Sequence, residues 1–141
     1  MPKQKFVFLE HTADVKFQAF GKTIEECFEN CALAMIASQY KGKIKAIKKK
    51  KKIKVKGKDN ESLLYNFLEG ILFLVDSKRF LVSKVKVKMK ESGKEKILEA
   101  ELFGDDIKNY KISWDVKAIT YNEMFVRKEK NKYTAQVVID V

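Results

Sequence analysis

The chain has 141 residues, enough for one domain with its own hydrophobic core. Hydrophobic residues make up 45% of it, with one proline and six glycines, which excludes disorder throughout and collagen-like or low-complexity classes. No run approaches the roughly 18 consecutive apolar residues of a transmembrane helix. Residues 1–9 also lack the pattern of a secretory signal peptide. We therefore expect a single domain over residues 1–141, located in the cytoplasm and without membrane contact.

The basic charge is concentrated in one segment. The net charge is +11, from 30 basic and 19 acidic residues, and residues 41–58 hold eleven lysines and no acidic residue. Only Arg79 and Arg127 are arginines, the residue type favoured for bidentate contacts to phosphates and base edges. The segment is either a solvated edge strand that its charge protects from aggregation, or a phosphate-binding patch.

The first half of the chain predicts two strands, a helix and a lysine-rich loop. Residues 5–9 and 15–20 have strand patterns, the second by alternation of apolar and polar residues. Thr23 and Glu26 form a capping box that begins a helix reaching to about residue 39. Its apolar face carries Cys27 and Cys31, which we interpret as buried thiols rather than a disulfide or a nucleophile. We expect a loop over the lysine run 48–52 and then a strand to Gly57.

The second half predicts one broad apolar helix and four strands. The helix begins at residues 59–62 and ends near 76–77, and Gly70 within it suggests close packing at that point. Strands are indicated at 80–89, 97–103, 115–126 and 133–140, with a break at 104–106. Two helices over one large sheet make an α+β two-layer sandwich, with the helices packed on a mainly antiparallel or mixed sheet.

The only side chains that suggest a functional site are oxygen donors, which can bind a metal ion. The common nucleotide-binding and hydrolase motifs are absent, and His11 is the only histidine. Asp14 begins a strand, Asp140 follows an apolar run, and Val141 places its carboxylate beside Asp140. If their strands meet, these three groups converge in a way that suits a hard cation such as calcium. The alternative is that Asp14 caps a turn and Asp140 faces water.

Three further residues have two interpretations each. Lys117 lies in an otherwise apolar strand. It is either a functional cation or a residue on the solvent-exposed side of that strand. Trp114 and Tyr121 are either interface anchors or core aromatics.

Five further motifs follow one another along the chain. They are EHTADV at 10–15, GKTIEECFENCALAM at 21–35, SLL through LFL in the second helix, VKAITY at 116–121 and VIDV at 138–141. In this order they resemble the motifs of the archease family. The resemblance covers the whole chain, and the motifs are specific together although each alone is modest.

The resemblance implies an accessory protein rather than an enzyme. Archeases assist the RtcB-type RNA ligase that joins tRNA halves, by promoting guanylylation of its active-site histidine and restoring turnover. The family is associated with calcium, and its motifs place the ligands at Asp14, Asp140 and Val141. Candidate contacts to the ligase fall on Lys117, His11 and Asn122, and tRNA is reached indirectly or by weak electrostatic contact.

The chain departs from the family pattern at two positions. Asn122 stands where a histidine is usual, and an amide does not titrate. Lys16 stands where glycine is frequent, which changes how closely a partner can approach. Other functions that we weighed are a basic RNA-binding module acting through residues 41–58 and a chaperone-like protein. A small hydrolase using Asp14 and Asp140 is disfavoured because no nucleophile accompanies them.

Overall fold

The computed structural model describes residues 4–11, 14–44, 47–112 and 115–141. Trp114, one of the two candidate anchors, lies outside the described residues. The described residues form seven strands, two helices and a short 3₁₀ helix at Ile107–Asn109: β1 (Phe6–Leu9), β2 (Val15–Gly21), α1 (Ile24–Gln39), β3 (Lys49–Gly57), α2 (Asn60–Lys78), β4 (Phe80–Ser92), β5 (Glu95–Asp106), β6 (Ala118–Glu129) and β7 (Lys132–Asp140). Neither helix in these ranges has the length and apolar character needed to cross a membrane.

The strands form two antiparallel sheets, with the orders β1-β2-β7-β6 and β3-β5-β4. The predicted α+β sandwich of two helices on antiparallel strands is confirmed, but the expectation of one large sheet was wrong. Each helix packs on both sheets, α1 against β2 and β4 and α2 against β3 and β6. The shared helix layer joins the two sheets into one core.

Local capping signals begin both helices as the sequence predicts. The Thr23 hydroxyl accepts a hydrogen bond from the Glu26 backbone N–H at 3.1 Å, and Asp59 accepts one from the Ser62 N–H at 2.8 Å. These bonds satisfy amide groups that have no partner within the helix. Helix α1 ends at Gln39 as expected, and α2 runs to Lys78, with Arg79 in the left-handed region at φ 55°.

The lysine run is a strand, so the loop expected over residues 48–52 was wrong. β3 begins at Lys49 and pairs with β5 along its whole length, from Lys49 opposite Gly104 to Gly57 opposite Lys96. Backbone pairing does not depend on side-chain charge, and alternate positions of β3, such as Ile53 and Val55, are half-buried against the core. Charge dominated the sequence pattern there and concealed this alternation.

Several strand boundaries also differ from the prediction, since β4 extends to Ser92, β5 begins at Glu95 and β6 extends to Glu129. Residues 104–106 continue β5 instead of breaking it, and the ladder accommodates them with a register shift between Val82 and Lys84 of β4. Gly104 is required at this point because a Cβ there would overlap the Leu81 carbonyl oxygen. β6 begins at Ala118 rather than at residue 115.

Gly70 offers a direct test of helix packing. A Cβ at Gly70 would lie 3.5 Å from Ile53 Cδ1 and 3.9 Å from Val55 Cγ1, which are ordinary contacts, so the close packing expected there is not required. We predict that Gly70→Ala raises the free energy of unfolding by about 0.5–1 kcal/mol, because alanine favours the helix. Urea denaturation measures the change. Gly104→Ala is the matched control and should destabilise the protein; a Gly70→Ala variant less stable than the parent would contradict the prediction.

Candidate functional site

Three strand ends meet at one end of the four-stranded sheet. Val15 at the start of β2 pairs with Ile139 of β7, and Ala118 at the start of β6 pairs with Asp140. The Lys117 backbone N–H donates to the Asp140 carbonyl oxygen at 2.7 Å. Antiparallel pairing therefore gathers Asp14, Lys117, Asp140 and Val141 at the same end of the sheet, although more than 100 residues separate Asp14 from the others in the chain.

The gathered groups are accessible to solvent. The Asp14 side chain is 30% exposed, Asp140 and Val141 are half-buried, and Lys117 is exposed. Carboxylate oxygens are the donors that calcium prefers. In the part of the chain that the structure describes, however, no three His, Cys, Asp or Glu side chains are grouped to hold a metal ion. The site thus offers two side-chain carboxylates beside Val141, which is a small donor set, and the metal role stays a prediction.

His11 lies beside this cluster within a network of charged groups. Its Nε2 is 2.8 Å from Glu123 Oε2, and its Nδ1 is 3.7 Å from Asp14 Oδ2. Lys16 Nζ donates to Glu123 Oε1 at 3.1 Å. His11 Nδ1 is buried and has no hydrogen-bond partner among the residues that the structure describes. The ring is therefore oriented by Glu123 and presents its other nitrogen to the side of Asp14.

Glu123 is the residue of this network that the sequence analysis missed. It lies in a bulge of β6. Thr120 pairs with Val138 and Phe125 pairs with Gln136, so four residues of β6 lie opposite a single residue of β7. Glu123 has φ 55°, a conformation uncommon for this residue type. The one available signal was the break in alternation, since residues 121–123 are all polar or aromatic and all three are exposed.

The bulge is attached to the face of the sheet opposite the helices. Gln18 Nε2 donates to Gln136 Oε1 at 2.9 Å, and Gln136 Nε2 donates to the Glu123 carbonyl oxygen at 2.8 Å. The Thr120 hydroxyl donates to the Val138 carbonyl oxygen at 2.7 Å. Val138 is fully buried although it does not belong to the main core cluster. We infer that the bulge covers this part of β7 and so fixes the Glu123 carboxylate in place.

Two other candidate partner residues lie in or next to the same bulge. Asn122 is exposed immediately before Glu123. Tyr121 is 55% exposed and stacks on Tyr65 of α2, with ring centroids 4.3 Å apart and an angle of 7° between the planes. Partial burial raises the pKa of both hydroxyls, and for Tyr65 the neighbouring Glu69 contributes. Tyr121 is therefore a surface aromatic held by α2 and not a core residue.

An open groove of about 790 Å³ borders the cluster. His11, Asp14 and Lys16 line one side of it, and Ser38 and Lys41, at the end of α1 and just beyond, line another. Its volume is within the range of about 300–1,000 Å³ that binding clefts usually have.

The two thiols lie in the core of the protein. Cys27 and Cys31 are free and fully buried, as the helix pattern predicts. Cys27 Sγ donates to the Ala19 carbonyl oxygen at 3.4 Å, and burial raises the pKa of the Cys31 thiol well above its ordinary value. A thiol kept protonated in the core is a poor nucleophile.

Fold and site together define a class of small α+β proteins in which the start of β2 and the end of β7 bring acidic groups to one sheet end. The family model described as "Archease protein family (MTH1598/TM1083)" matches residues 6–141. The chain belongs to the archease family.

Individual relatives agree with this assignment. The chain is 36% identical to protein archease of Methanosarcina barkeri over 98% of this chain and 97% of that one, and 37% identical to that of Pyrococcus furiosus over 94% and 95%. The solution structure of Methanobacterium thermoautotrophicum protein 1598 matches with a TM-score of 0.87 at 33% identity, over 97% and 99%. A crystal structure of a Thermotoga maritima archease, described as a possible chaperone, shares the fold with a TM-score of 0.60 at 19% identity, over 100% and 98%.

The ionisation of Glu123 tests the network. Its hydrogen bonds to His11 and Lys16, followed by the charge of Lys16, lower the pKa of the Glu123 carboxyl from its ordinary value. A lowered pKa in the folded state stabilises the protein above the unfolded-state pKa, and this contribution is lost as pH falls through the folded-state value. We predict that carbon-detected NMR titration finds the Glu123 pKa below its ordinary value and that Lys16→Met raises it. Lys22→Met is the control and should leave it unchanged; an ordinary pKa in the parent protein would contradict the network.

Proposed function

We propose that the protein is a non-enzymatic activator of an RtcB-type RNA ligase in tRNA splicing, promoting guanylylation of the ligase and its repeated turnover. Membership of the archease family supports this assignment, together with the motifs that carry the resemblance. The structural observation behind it is that Asp14, Asp140 and Lys117 lie at or next to the ends of three strands that meet at one exposed end of a sheet. The proposal places the protein in the cytoplasm with its ligase.

The cluster suits a docking role at a charged partner site. The ligase site handles nucleotide phosphates and divalent metal, so groups of both signs are needed to complement it. Lys117 is an exposed cation that can meet a phosphate or a carboxylate of the partner. The Glu123 carboxylate and Lys16 hold His11 beside Asp14, so this corner is ordered before the partner arrives. Pre-ordered groups lose less conformational entropy on binding.

Calcium fits the donor set as an exchangeable ligand. Asp14, Asp140 and the carboxylate of Val141 would hold it, and a bound cation would supply positive charge that bridges these carboxylates to oxygen atoms of a partner. Few protein donors leave coordination positions open to water or to the partner, so we expect the weaker range of calcium affinity in the protein alone.

A general chaperone role receives less support from the structure. Phe8, Ile47, Phe73 and Tyr121 are the large apolar residues exposed among those described, and they lie on different elements: β1, the segment before β3, α2 and β6. Holding unfolded chains calls for a contiguous apolar surface, whereas single exposed apolar residues are usual on soluble folds.

Single-turnover guanylylation of the ligase from the same organism tests the activator role. We predict that the parent protein accelerates the step and that Asp14→Asn, Asp140→Asn and Lys117→Gln each reduce the stimulation at least about tenfold, because each removes a charged contact from the docking surface. Asp115→Asn is the matched control, since Asp115 is exposed and acts electrostatically on Asp76 of α2. Circular dichroism confirms that each variant folds. Full stimulation by all three variants would contradict the proposal.

Calorimetric titration of the protein alone with calcium tests the metal site separately. We predict a dissociation constant of about 10⁻⁴–10⁻³ M, in keeping with the small donor set. Asp14→Asn and Asp140→Asn should each weaken binding several-fold, because each removes an ionised donor, while Asp115→Asn should not. Calcium binding that both site variants retain in full would place the cation elsewhere.

A further inference from the structure

The outer face of the three-stranded sheet carries two rows of lysines, which we call the lysine face. Its eight lysines are all exposed, in one row on β3 and one on β4: Lys50, Lys52, Lys54, Lys56, Lys84, Lys86, Lys88 and Lys90. Only the first row falls within the lysine-rich segment that the sequence singles out. The second comes from a strand about thirty residues further on.

The strand register aligns the two rows across β5. Lys50 and Lys84 both pair with Phe103. Every second residue along the strands repeats this arrangement, so that the next three lysine pairs have Glu101, Glu99 and Ile97 between them. Strand geometry therefore spaces neighbouring lysines about 6.6–6.8 Å apart within a row and separates the rows by about 9.5 Å, as measured between backbone positions. The result is a ladder of four matched cation pairs.

The hydrophobic core fixes the side to which these lysines point. The alternate residues of the strands, including Val85, Val87, Leu98 and Ala100, are buried against the helices. A slip of one residue would expose that apolar set and bury the lysines. The ladder is thus a rigid feature of the sheet, unlike a cluster of lysines on a loop.

Most of the charge on this face is uncompensated. The acidic residues of this face are Glu95, Glu99 and Glu101 of β5, with Lys90 Nζ 3.5 Å from Glu99 Oε1 and Lys50 Nζ 2.6 Å from Glu101 Oε2. Eight lysines against three glutamates leave five positive charges, almost half of the net charge of +11. The spacing is shorter than the Debye length of about 8 Å at physiological salt, so neighbouring lysines in a row repel one another. A bound polyanion would relieve this repulsion.

The aromatic residue of this face is engaged by the lysines themselves. The Nζ atoms of Lys50, Lys84 and Lys86 lie 5.6, 5.9 and 6.0 Å from the centre of the Phe103 ring. A ring surrounded by ammonium groups holds those groups in place and is a poor platform for stacking a base. The face therefore offers point charges for phosphates and no base-reading group.

We propose that the lysine face binds the sugar–phosphate backbone of RNA without base specificity. Regularly spaced charges match a polymer with one charge per repeat, and lysine contacts phosphate as a point charge. An anionic membrane is bound more tightly when apolar side chains insert among the lysines, but on this face Ile97 is only 8% exposed and Phe103 is engaged. A protein interface would be expected to centre on exposed aromatic or arginine anchors. The inference does not rest on the ligase proposal, because the face lies on the other sheet from the carboxylate cluster.

Fluorescence anisotropy with the full chain and no ligase tests the inference. The probe is a labelled single-stranded RNA of about 20 nucleotides, longer than the usual site of one small domain, at several salt concentrations. The face variant combines Lys52→Gln, Lys54→Gln, Lys86→Gln and Lys88→Gln. The control has the same net charge and combines exposed lysines outside this sheet: Lys22→Gln, Lys78→Gln, Lys111→Gln and Lys130→Gln. Circular dichroism and thermal unfolding check that both fold.

We expect the face variant to lose affinity at least about tenfold and its log–log salt slope to become shallower by about 3, since each lost contact to single-stranded RNA accounts for about 0.7. The control should stay close to the parent, and an RNA of different sequence should bind equally. No binding by the parent, or equal losses in the two variants, would overturn the inference and leave the lysines a role in preventing aggregation. Tighter binding to phosphatidylserine vesicles or polyglutamate, lost in the face variant, would overturn it in favour of a membrane or an acidic protein.

Discussion

The pairing of β2 with β7 is the constraint on which the rest of the structure depends. It joins residues 15–21 to residues 133–139 and places both strands in the interior of the four-stranded sheet. Phe17 and Ala19 from one strand and Val137 and Ile139 from the other are fully buried beneath the helices. Burial of these alternate residues sets the register, because a one-residue slip would bring polar groups into the core. The same register brings Asp14 level with the end of β7, so the candidate site follows from core packing rather than from attraction among its charges.

The two sheets divide the charged groups of the protein between them. The four-stranded sheet carries carboxylates, His11 and Lys117 at one end, where strand ends leave side chains accessible. The three-stranded sheet carries the lysine face on its outer side. Both arrangements are held by helices that pack on the inner faces of the two sheets. One small fold can therefore present two chemically different surfaces. The carboxylates of one do not neutralise the lysines of the other by direct contact.

Local signals in the sequence predicted local structure well and tertiary arrangement less well. Capping residues and alternating patterns located both helices and most strands, and the buried cysteines followed from helical spacing. The lysine run was assigned to a loop because its charge concealed half-buried Ile53 and Val55, and only pairing with β5 makes it a strand. The division into two sheets arises from which strands pair, and neither alternation nor turns specify that. Glu123 was missed because a bulge, held by Gln136 from another strand, directs it to His11.

The interior position of β7 also bears on how the protein is made. β7 pairs with β2 on one side and β6 on the other, yet the ribosome synthesises it after both of them. Until β7 is synthesised, β2 and β6 both lack the strand with which they pair in the folded sheet. The strand that joins β2 to β6 is therefore made after both of them. An incompletely synthesised chain lacks Asp140 and the strand that aligns Asp14 with it. A partner that recognises this sheet end meets only chains whose synthesis has passed β7.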